Sequence, residues 1–219
     1  MSAAASVRGS TSSLARIGAA RRRARAIATG AILLLLAACA APRIKPDRNL
    51  LARQDAREAS LATERNWQLS GRLGVSAGKD GGSGSLEWTQ TGDAFRFSVH
   101  APVTGKTWVM TGDAHHAVLE GLREQPVESA DATELLAREL GWHVPVAELA
   151  DWVRGARAAA SKDRARIEFN GDGLPAAIEQ DGWKIEYPDY DTAHQPPLPR
   201  RIFASRGDYR VRVAVSRWQ

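Results

Sequence analysis

The chain has 219 residues, with 30 Lys and Arg against 25 Asp and Glu, and a formal net charge of +5. Such a basic balance ordinarily suggests nucleic acid or an anionic membrane as a partner. Six arginines and no acid precede Cys39, however, so the chain from Cys39 onward has 24 basic against 25 acidic residues and a net charge near −1. We therefore expect no nucleic-acid partner.

The N-terminal segment has the layout of a bacterial export signal. The basic cluster Arg21-Arg22-Arg23-Ala24-Arg25 precedes an apolar run that ends in Leu36-Ala37-Ala38-Cys39. A charged segment, a short apolar segment and small residues before the cut are typical of a secretory signal. The Leu-Ala-Ala-Cys ending resembles a lipobox, so we predict that residues 1–38 are a lipoprotein signal peptide. Cys39 would then be the first mature residue, carrying N-palmitoyl and S-diacylglycerol groups.

The N-terminal pattern has two alternatives to a lipobox. The apolar stretch from residue 26 to residue 38 has 13 residues, whereas a helix that spans a bilayer needs roughly 20. A spanning helix is therefore excluded, while an ordinary cleaved signal with an incidental Cys39 stays open. Cys39 is the only cysteine, so its acylation would leave no thiol for a disulfide or a thiolate metal site.

The mature chain is long enough for one domain with its own core. We predict a lipidated N-terminus and tether over residues 39–48 and a single domain over residues 49–219. Asp47 is placed to cap a helix that ends before Trp67. The residues of this helix that share one face at helical spacing are Leu50, Leu51, Gln54, Arg57, Ser60 and Leu61.

From Trp67 the hydrophobic period changes from 3.6 to 2, which is typical of strands. The sequence predicts a strand from Trp67 to Val75, a glycine-rich turn over residues 78–84, and a hairpin around Thr91-Gly92-Asp93. It predicts a further strand pair, Lys106–Thr111 and His115–Glu120, around Gly112-Asp113. Residues of one face of the first hairpin are Leu86, Trp88, Phe95, Phe97 and Val99.

Helical signals interrupt the strand pattern in the middle of the chain. Asp131 to Glu134 fits a capping box, and Gly141 suits a C-terminal stop. Pro145 is suited to open a second helix that stops at Gly155. Strand signals then return around Ile167, Trp183 and Ile202 and from Tyr209 to Val215, with a proline-rich loop predicted over residues 188–199. Antiparallel strands with helices inserted between two halves predict a mainly β, α+β fold, a curved sheet covered by helices.

The sequence contains none of the common catalytic or nucleotide-binding motifs, namely HExxH, GxSxG, a Walker loop or GxGxxG. His115 and His116, if on a strand, point to opposite faces and cannot bind one metal ion together. The carboxylates are scattered without an evident acid–base pair. We therefore predict no enzyme activity, no metal site and no cofactor.

Short motifs in order along the mature chain resemble the LolB family of outer-membrane lipoprotein receptors. They are Trp67-Gln68-Leu69-Ser70-Gly71-Arg72, Ser83-Gly84-Ser85-Leu86-Glu87-Trp88, Pro102-Val103-Thr104-Gly105, Leu140-Gly141-Trp142, Pro145-Val146, Trp152-Val153-Arg154-Gly155, Gly182-Trp183-Lys184-Ile185, Tyr187, Tyr190, Leu198-Pro199 and Trp218. The resemblance implies an incomplete antiparallel β-barrel with a helical lid over an apolar cavity. It also implies a monomer that accepts acylated lipoproteins from the periplasmic carrier LolA and places them in outer-membrane lipid.

Two site predictions follow from the resemblance. Family members carry an apolar residue, usually Leu, on a protruding membrane-insertion loop, which corresponds here to Pro102, Val103 and Gly105. Val replaces Leu here, and Thr104 is inserted before Gly105; an exposed loop valine without a role is the alternative.

The candidate acyl-cavity lining is Leu86, Trp88, Phe95, Phe97, Trp183 and Ile185. The same alternation is typical of a filled core, so the pattern leaves both readings open.

The residue after Cys39 bears on the location of the protein. Ala40 follows the lipidated cysteine, whereas Asp at that place retains lipoproteins in the inner membrane of many such bacteria, so we expect an outer-membrane anchor and a periplasmic domain. A non-catalytic scaffold in outer-membrane assembly is the main alternative function, and an unrecognised lipid-anchored hydrolase is a weaker one. The C-terminal arginines Arg200, Arg201, Arg206, Arg210 and Arg212 form either solvated strand faces or a basic stripe for an acidic partner.

Overall fold

The structure, a computed structural model, describes residues 43–78, 80–102 and 105–219, and of Asp80 only the backbone. Helices α1 (Arg48–Thr63), α2 (Ala132–Leu140) and α3 (Val146–Trp152) lie in these residues. The strands are β1 (Asn66–Ala77), β2 (Asp80–Thr91), β3 (Ala94–Ala101), β4 (Lys106–Gly112), β5 (Ala117–Glu120), β6 (Val127–Ser129), β7 (Arg166–Phe169), β8 (Pro175–Gln180), β9 (Trp183–Asp191), β10 (Leu198–Arg206) and β11 (Tyr209–Trp218).

All eleven strands of the described residues belong to one antiparallel sheet that does not close. Its order is β6-β5-β4-β3-β2-β1-β11-β10-β9-β8-β7. The first six strands run outward from β1, and the chain then crosses to the opposite edge through α2 and α3. It returns strand by strand until β11 pairs with β1. The predicted mainly β fold, an incomplete barrel with helices between two halves of the sheet, is confirmed.

The predicted glycine-rich turn over residues 78–84 is wrong, because β2 already begins at Asp80. Its glycines lie in the strand where neighbouring backbone comes close. A Cβ on Gly84 would lie 2.5 Å from the carbonyl oxygen of His100, and one on Gly81 would lie 2.7 Å from that of Val75. Glycine here permits close backbone approach within a twisted sheet rather than a long turn.

The predicted loop over residues 188–199 is also wrong, since β9 continues to Asp191 and β10 begins at Leu198. Proline lacks an N–H donor and is tolerated in sheets at irregular positions. The pairing of β9 with β10 shifts register between Pro199 and Arg201 and again between Arg201 and Phe203. These irregularities accommodate the prolines and shorten the connection to residues 192–197.

His115 and His116 lie in the turn before β5 and not on a strand as predicted. Both backbone N–H groups donate to a carboxylate oxygen of Asp113, over 2.8 and 3.0 Å. The carboxylate therefore forms the turn through local hydrogen bonds, as Asp commonly does. These bonds, from His115 first, lower the pKa of Asp113 below its ordinary value.

The three helices agree with their sequence signals. Asp47 caps α1 by accepting from the backbone N–H of Leu50, and Asp131 caps α2 by accepting from Thr133 and Glu134. The return half of the predicted capping box is absent in these residues, because the N–H of Asp131 donates to the hydroxyl of Ser129. Helix α2 ends at Gly141, whose positive φ of 70° suits glycine.

The segment before α1 is bound to the free edge of the sheet. Ile44 and Phe169 exchange two backbone hydrogen bonds of 2.7 and 2.9 Å, which add a short antiparallel bridge beside β7. Arg43 forms ion pairs with Glu168 of β7 and Glu186 of β9. The last residues of the predicted tether therefore pack against the sheet, which protects part of an otherwise open edge.

Two buried arginines join α1 to the end of α3 by capping each other's helix. Arg57 of α1 donates to the carbonyls of Arg154, Gly155 and Pro197, over 2.7 to 2.9 Å. Arg154 donates to the carbonyls of Leu61 and Glu64 at the end of α1, over 2.8 and 3.1 Å. Most of these carbonyls lie at or just beyond helix ends, where the last C=O groups have few backbone partners. Burial lowers the pKa of both guanidiniums, but arginine stays protonated.

We predict that Arg57→Met lowers the free energy of unfolding by about 3 kcal/mol, because the carbonyls of Arg154 and Pro197 would lose the donor that Arg57 supplies. Urea unfolding followed by tryptophan fluorescence measures the change. Arg53→Met, an exposed position on the same helix, is the control and should change stability by less than about 0.5 kcal/mol. Equal midpoints for the two variants would contradict the capping role of Arg57.

Candidate functional site

An apolar cavity lies between the inner face of the sheet and the helices. Its volume is about 70 Å³, and it is lined only by hydrophobic side chains. The sheet contributes Leu73, Val75, Leu86, Trp88, Phe97, Val99, Trp108, Ile185, Ile202, Ala204, Val211 and Val213. The helices and the segments around them contribute Leu136, Trp142, Val144, Leu149, Trp152 and Val153. The cavity is far smaller than a pocket for a drug-sized ligand, which measures about 300–1,000 Å³.

The structure brings four of the six predicted lining residues to this cavity, namely Leu86, Trp88, Phe97 and Ile185. Phe95 lies outside it, stacked on Phe97 with ring centroids 4.8 Å apart. Trp183 is 1% exposed and packs on Trp152 rather than lining the cavity. The alternation in sequence identified the inner face of each strand, but it could not indicate where along the strand the space lies.

A larger pocket of about 690 Å³ opens beside the apolar cavity, and it is called the vestibule below. Its floor is aromatic, and Trp88 and Phe97 line both spaces. Their rings meet edge to face with centroids 4.4 Å apart. Trp67 extends the floor, with its ring centroid 4.9 Å from that of Trp88. The guanidinium of Arg154 lies 5.4 Å from the ring centroid of Trp67. One aromatic pair therefore separates the vestibule from the apolar cavity.

The walls of the vestibule carry more acids than bases. The acidic residues are Glu64, Asp93, Asp113, Asp131, Glu148 and Asp151, and the basic ones are Arg65 and Arg154. Burial raises the pKa of Glu148 and of Asp151 above their ordinary values. Sequence patterns did not predict this group of wall residues, called the rim of the vestibule below, because its members come from separate turns and helices. A spacing rule detects only residues that one element holds together.

The remaining predicted site residues lie in or beside undescribed parts of the chain. Cys39, Val103 and Thr104 are outside the described residues. Pro102 and Gly105 flank the gap between β3 and β4, and Gly105 has a positive φ of 66°. The described residues contain no group of three or more His, Cys, Asp or Glu that could hold a metal ion. Within the same residues, no helix has the length and apolarity needed to cross a bilayer.

Helices α2 and α3 differ in how firmly they are attached over the cavity. The end of α3 is fixed by Arg57, by the Tyr187 hydroxyl bonded to the carbonyl of Trp152 over 2.9 Å, and by the Trp152 indole bonded to Gln180 over 3.2 Å. Helix α2 is joined to α3 by the N–H of Val146, which donates to the Thr133 hydroxyl over 3.1 Å. Its further polar contacts are exposed: Arg123 with Glu139 over 2.6 Å, and Arg138 with the carbonyl of Glu128 over 3.4 Å. The segment between them, residues 141–145, covers the cavity with Trp142 and Val144.

An unclosed antiparallel sheet with an apolar cavity under a helical cover defines a half-barrel protein suited to binding apolar groups. Comparisons with known proteins agree. A family model described as "Outer membrane lipoprotein LolB" matches residues 65–218. The chain belongs to this family.

Two relatives and one solved structure illustrate the similarity. An outer-membrane lipoprotein LolB of Xanthomonas campestris pv. campestris (strain B100) is 41% identical over 185 residues, covering 82% of this chain and 84% of that protein. One of Xylella fastidiosa (strain 9a5c) is 34% identical over 168 residues, covering 75% and 76%. The crystal structure of LolA superfamily protein NE2245 from Nitrosomonas europaea has a TM-score of 0.52 at 10% identity, covering 78% and 92%. That last likeness concerns the fold alone.

We predict that Glu148→Gln stabilises the domain at neutral pH by less than about 1 kcal/mol, since Glu148 is only half-buried. A raised folded-state pKa means that ionisation opposes folding. The penalty is absent below the ordinary pKa near 4.5, grows as the pH rises, and is complete above the raised pKa. Urea unfolding at pH 4 and pH 7 should therefore separate the variant from wild type only at pH 7.

The exposed Glu124→Gln is the control for this experiment, because its side chain lies on a surface loop. It should leave stability unchanged at both pH values. An equal effect of the Glu148 substitution at both pH values would show that packing, rather than ionisation, governs its contribution.

Proposed function

We propose that this chain is an outer-membrane lipoprotein that accepts acylated lipoproteins from a LolA-type periplasmic carrier and inserts them into the outer membrane. The observation that carries the proposal is the apolar cavity between the inner face of an unclosed sheet and a helical cover, in a member of the LolB family. The acyl chains of the cargo are the ligand, and Cys39 anchors the protein to the membrane.

The physical chemistry of an acyl chain fits such a cavity. Burial of each CH₂ contributes about 0.8 kcal/mol, so a long chain contributes roughly 10 kcal/mol. A cavity of about 70 Å³ is too small for that chain, so binding requires the cover to move. Because the end of α3 is held by Arg57 and Tyr187, we propose that α2 and residues 141–145 move instead.

The vestibule is the proposed route to the cavity. Its polar rim suits the protein end of a lipoprotein, and its aromatic floor suits the acyl chains. Trp88 and Phe97 border both spaces, so a chain that passes between their rings would enter a wholly apolar lining. No bond is made or broken in this process, so the proposed function requires no catalytic group and no cofactor.

The scaffold alternative is not favoured. A scaffold needs no space under the cover, whereas this structure has an apolar cavity next to a much larger vestibule. The match of the family model over residues 65–218 also supports lipoprotein localisation over a scaffold. We propose a monomer anchored through Cys39, with the domain in the periplasm and with Ala40 permitting export to the outer membrane.

Filling the cavity should block cargo uptake. Ala204 lines the cavity from β10, and Ala214 is exposed on the neighbouring strand β11. Ala204→Leu adds three carbons to the lining and displaces roughly three methylenes of acyl chain, which predicts at least a tenfold weaker uptake at about 0.8 kcal/mol each. Uptake is measured by incubating the loaded carrier with the mature chain and separating the two proteins.

Ala214→Leu is the matched control and should take up cargo like wild type. Thermal unfolding of both variants confirms that each is folded under the assay conditions. Wild-type uptake by a folded Ala204→Leu protein would show that the acyl chains bind elsewhere, and absence of uptake by wild type would refute the proposed function.

The loop at Val103 is proposed to deliver cargo to lipid. Val103→Glu should abolish transfer of lipoprotein into membranes while leaving uptake from the carrier unchanged. A charged side chain enters the apolar region of a bilayer only at a large free-energy cost. Val103→Leu, which restores the family's usual residue, should transfer at least as well as wild type. Transfer into liposomes by the Glu variant at the wild-type rate would assign the loop no role.

A further inference from the structure

The outer face of the sheet carries a basic patch around an exposed aromatic ring. Phe203 of β10 is 37% exposed, and Arg212 of β11 holds its guanidinium 5.9 Å from the ring centroid. Arg201 and Arg210 occupy outward positions on the same two strands, and Arg72 does so on β1. We call these five residues the outer basic patch. Its members come from three adjacent strands, so only the sheet brings them together.

The patch has unneutralised charge at its centre. Arg72 and Arg212 form no ion pair with any acid in the described part of the chain. Arg201 pairs with Asp189 at 3.6 Å, and Arg210 donates to the carbonyl of Tyr209 over 2.8 Å. The residue of β9 that pairs with Phe203 is Glu186, which is already paired with Arg43 and Lys184.

The N-terminal segment is bound on the same face and in the same row of the sheet. Across β7 to β11, one row of paired residues runs Glu168, Ala177, Glu186, Phe203 and Arg212. Arg43 bridges the first and third of these residues, and Ala177 between them is only 3% exposed. The chain therefore enters the domain at the free edge beside β7, and the guanidinium of Arg43 extends along the outer face to Glu186, the residue of β9 that pairs with Phe203.

This placement decides which partner the patch fits. Cys39 precedes Arg43 by four residues, and four extended residues span at most about 14 Å. If Cys39 is acylated, as the proposed function requires, the anchor enters lipid within that distance of Arg43, beside the sheet edge to which Ile44 is bound, and the outer face that carries the patch can meet the same membrane. Clustered arginines beside a bilayer are attracted to anionic headgroups, and exposed apolar area adds to that attraction.

We propose that the outer basic patch lies against the phosphate surface of the membrane that holds the anchor. Arg72 and Arg212 pair with lipid phosphates, and the ring of Phe203 enters the headgroup region. Docking of this face holds the sheet in one orientation on the bilayer and leaves its inner face, with the cavity and the vestibule, turned away from that contact and open to the carrier.

The test uses the mature chain from residue 39 with Cys39→Ala, so that any binding is independent of acyl groups. Co-sedimentation with vesicles of phosphatidylcholine plus phosphatidylglycerol is compared with vesicles of phosphatidylcholine alone, at low and high salt. The proposal predicts binding to the anionic vesicles that weakens with salt. Each arginine should contribute about fivefold, so Arg72→Gln with Arg212→Gln should weaken binding about 30-fold.

Arg48→Gln with Arg53→Gln is the charge-matched control, because both residues are exposed on α1 outside the sheet. It should change binding by less than about fivefold, the contribution of a single arginine at the surface. Phe203→Ser should weaken binding to both kinds of vesicle. Equal loss in the patch and control variants, or wild-type binding by the patch variant, would overturn the proposal.

A second measurement separates this proposal from the proposed function and from a protein partner. Uptake of an acylated lipoprotein from its carrier in solution should be the same for wild type and for the patch variant. Slower, salt-dependent uptake by a variant that still binds vesicles would assign the patch to an acidic protein surface and overturn lipid docking. If wild type takes up no cargo, the proposed function fails while the vesicle result stands on its own.

Discussion

The apolar inner face of an unclosed sheet has to be covered, and the rest of this structure depends on how that is done. The outer strands β6 and β7 do not pair with each other, so the sheet cannot fill its interior by closing on itself. The chain that joins these two edges forms α2 and α3 and lies over the inner face. An apolar cavity of about 70 Å³ is left beneath them.

The helical cover is attached more firmly at the end of α3 than at α2, and the proposed binding of an acyl chain depends on this difference. Arg57 and Arg154 satisfy carbonyls at the ends of α3 and α1, inside a buried contact where water cannot replace them. Helix α2 and residues 141–145 rest on apolar contacts and on exposed polar ones, such as the Arg206 guanidinium that donates to the carbonyl of His143 over 3.3 Å. An apolar contact can be exchanged for an acyl chain at little net cost, whereas a buried charged hydrogen bond cannot.

The two faces of the sheet also differ in charge, although the mature chain is nearly neutral. Acids gather around the vestibule, where Glu148 and Asp151 are partly desolvated. Arginines gather on the outer face around Phe203. This separation of charge supports the proposals that cargo enters on one side and lipid is contacted on the other, and the net charge of the chain conceals it.

Local chemistry determined much of this protein from the sequence by itself: the caps at Asp47 and Asp131, the strand alternation from Trp67, and the inward residues Leu86, Trp88, Phe97 and Ile185. Each depends on neighbours a few residues away, so spacing predicts it. Only the tertiary structure decided that the glycines after Asp80 lie in a strand, that Trp183 misses the cavity, and that distant acids or arginines share one surface. These features depend on contacts between segments that are far apart in the chain. Such contacts, and the space that packing leaves between them, produce no periodic pattern in the sequence.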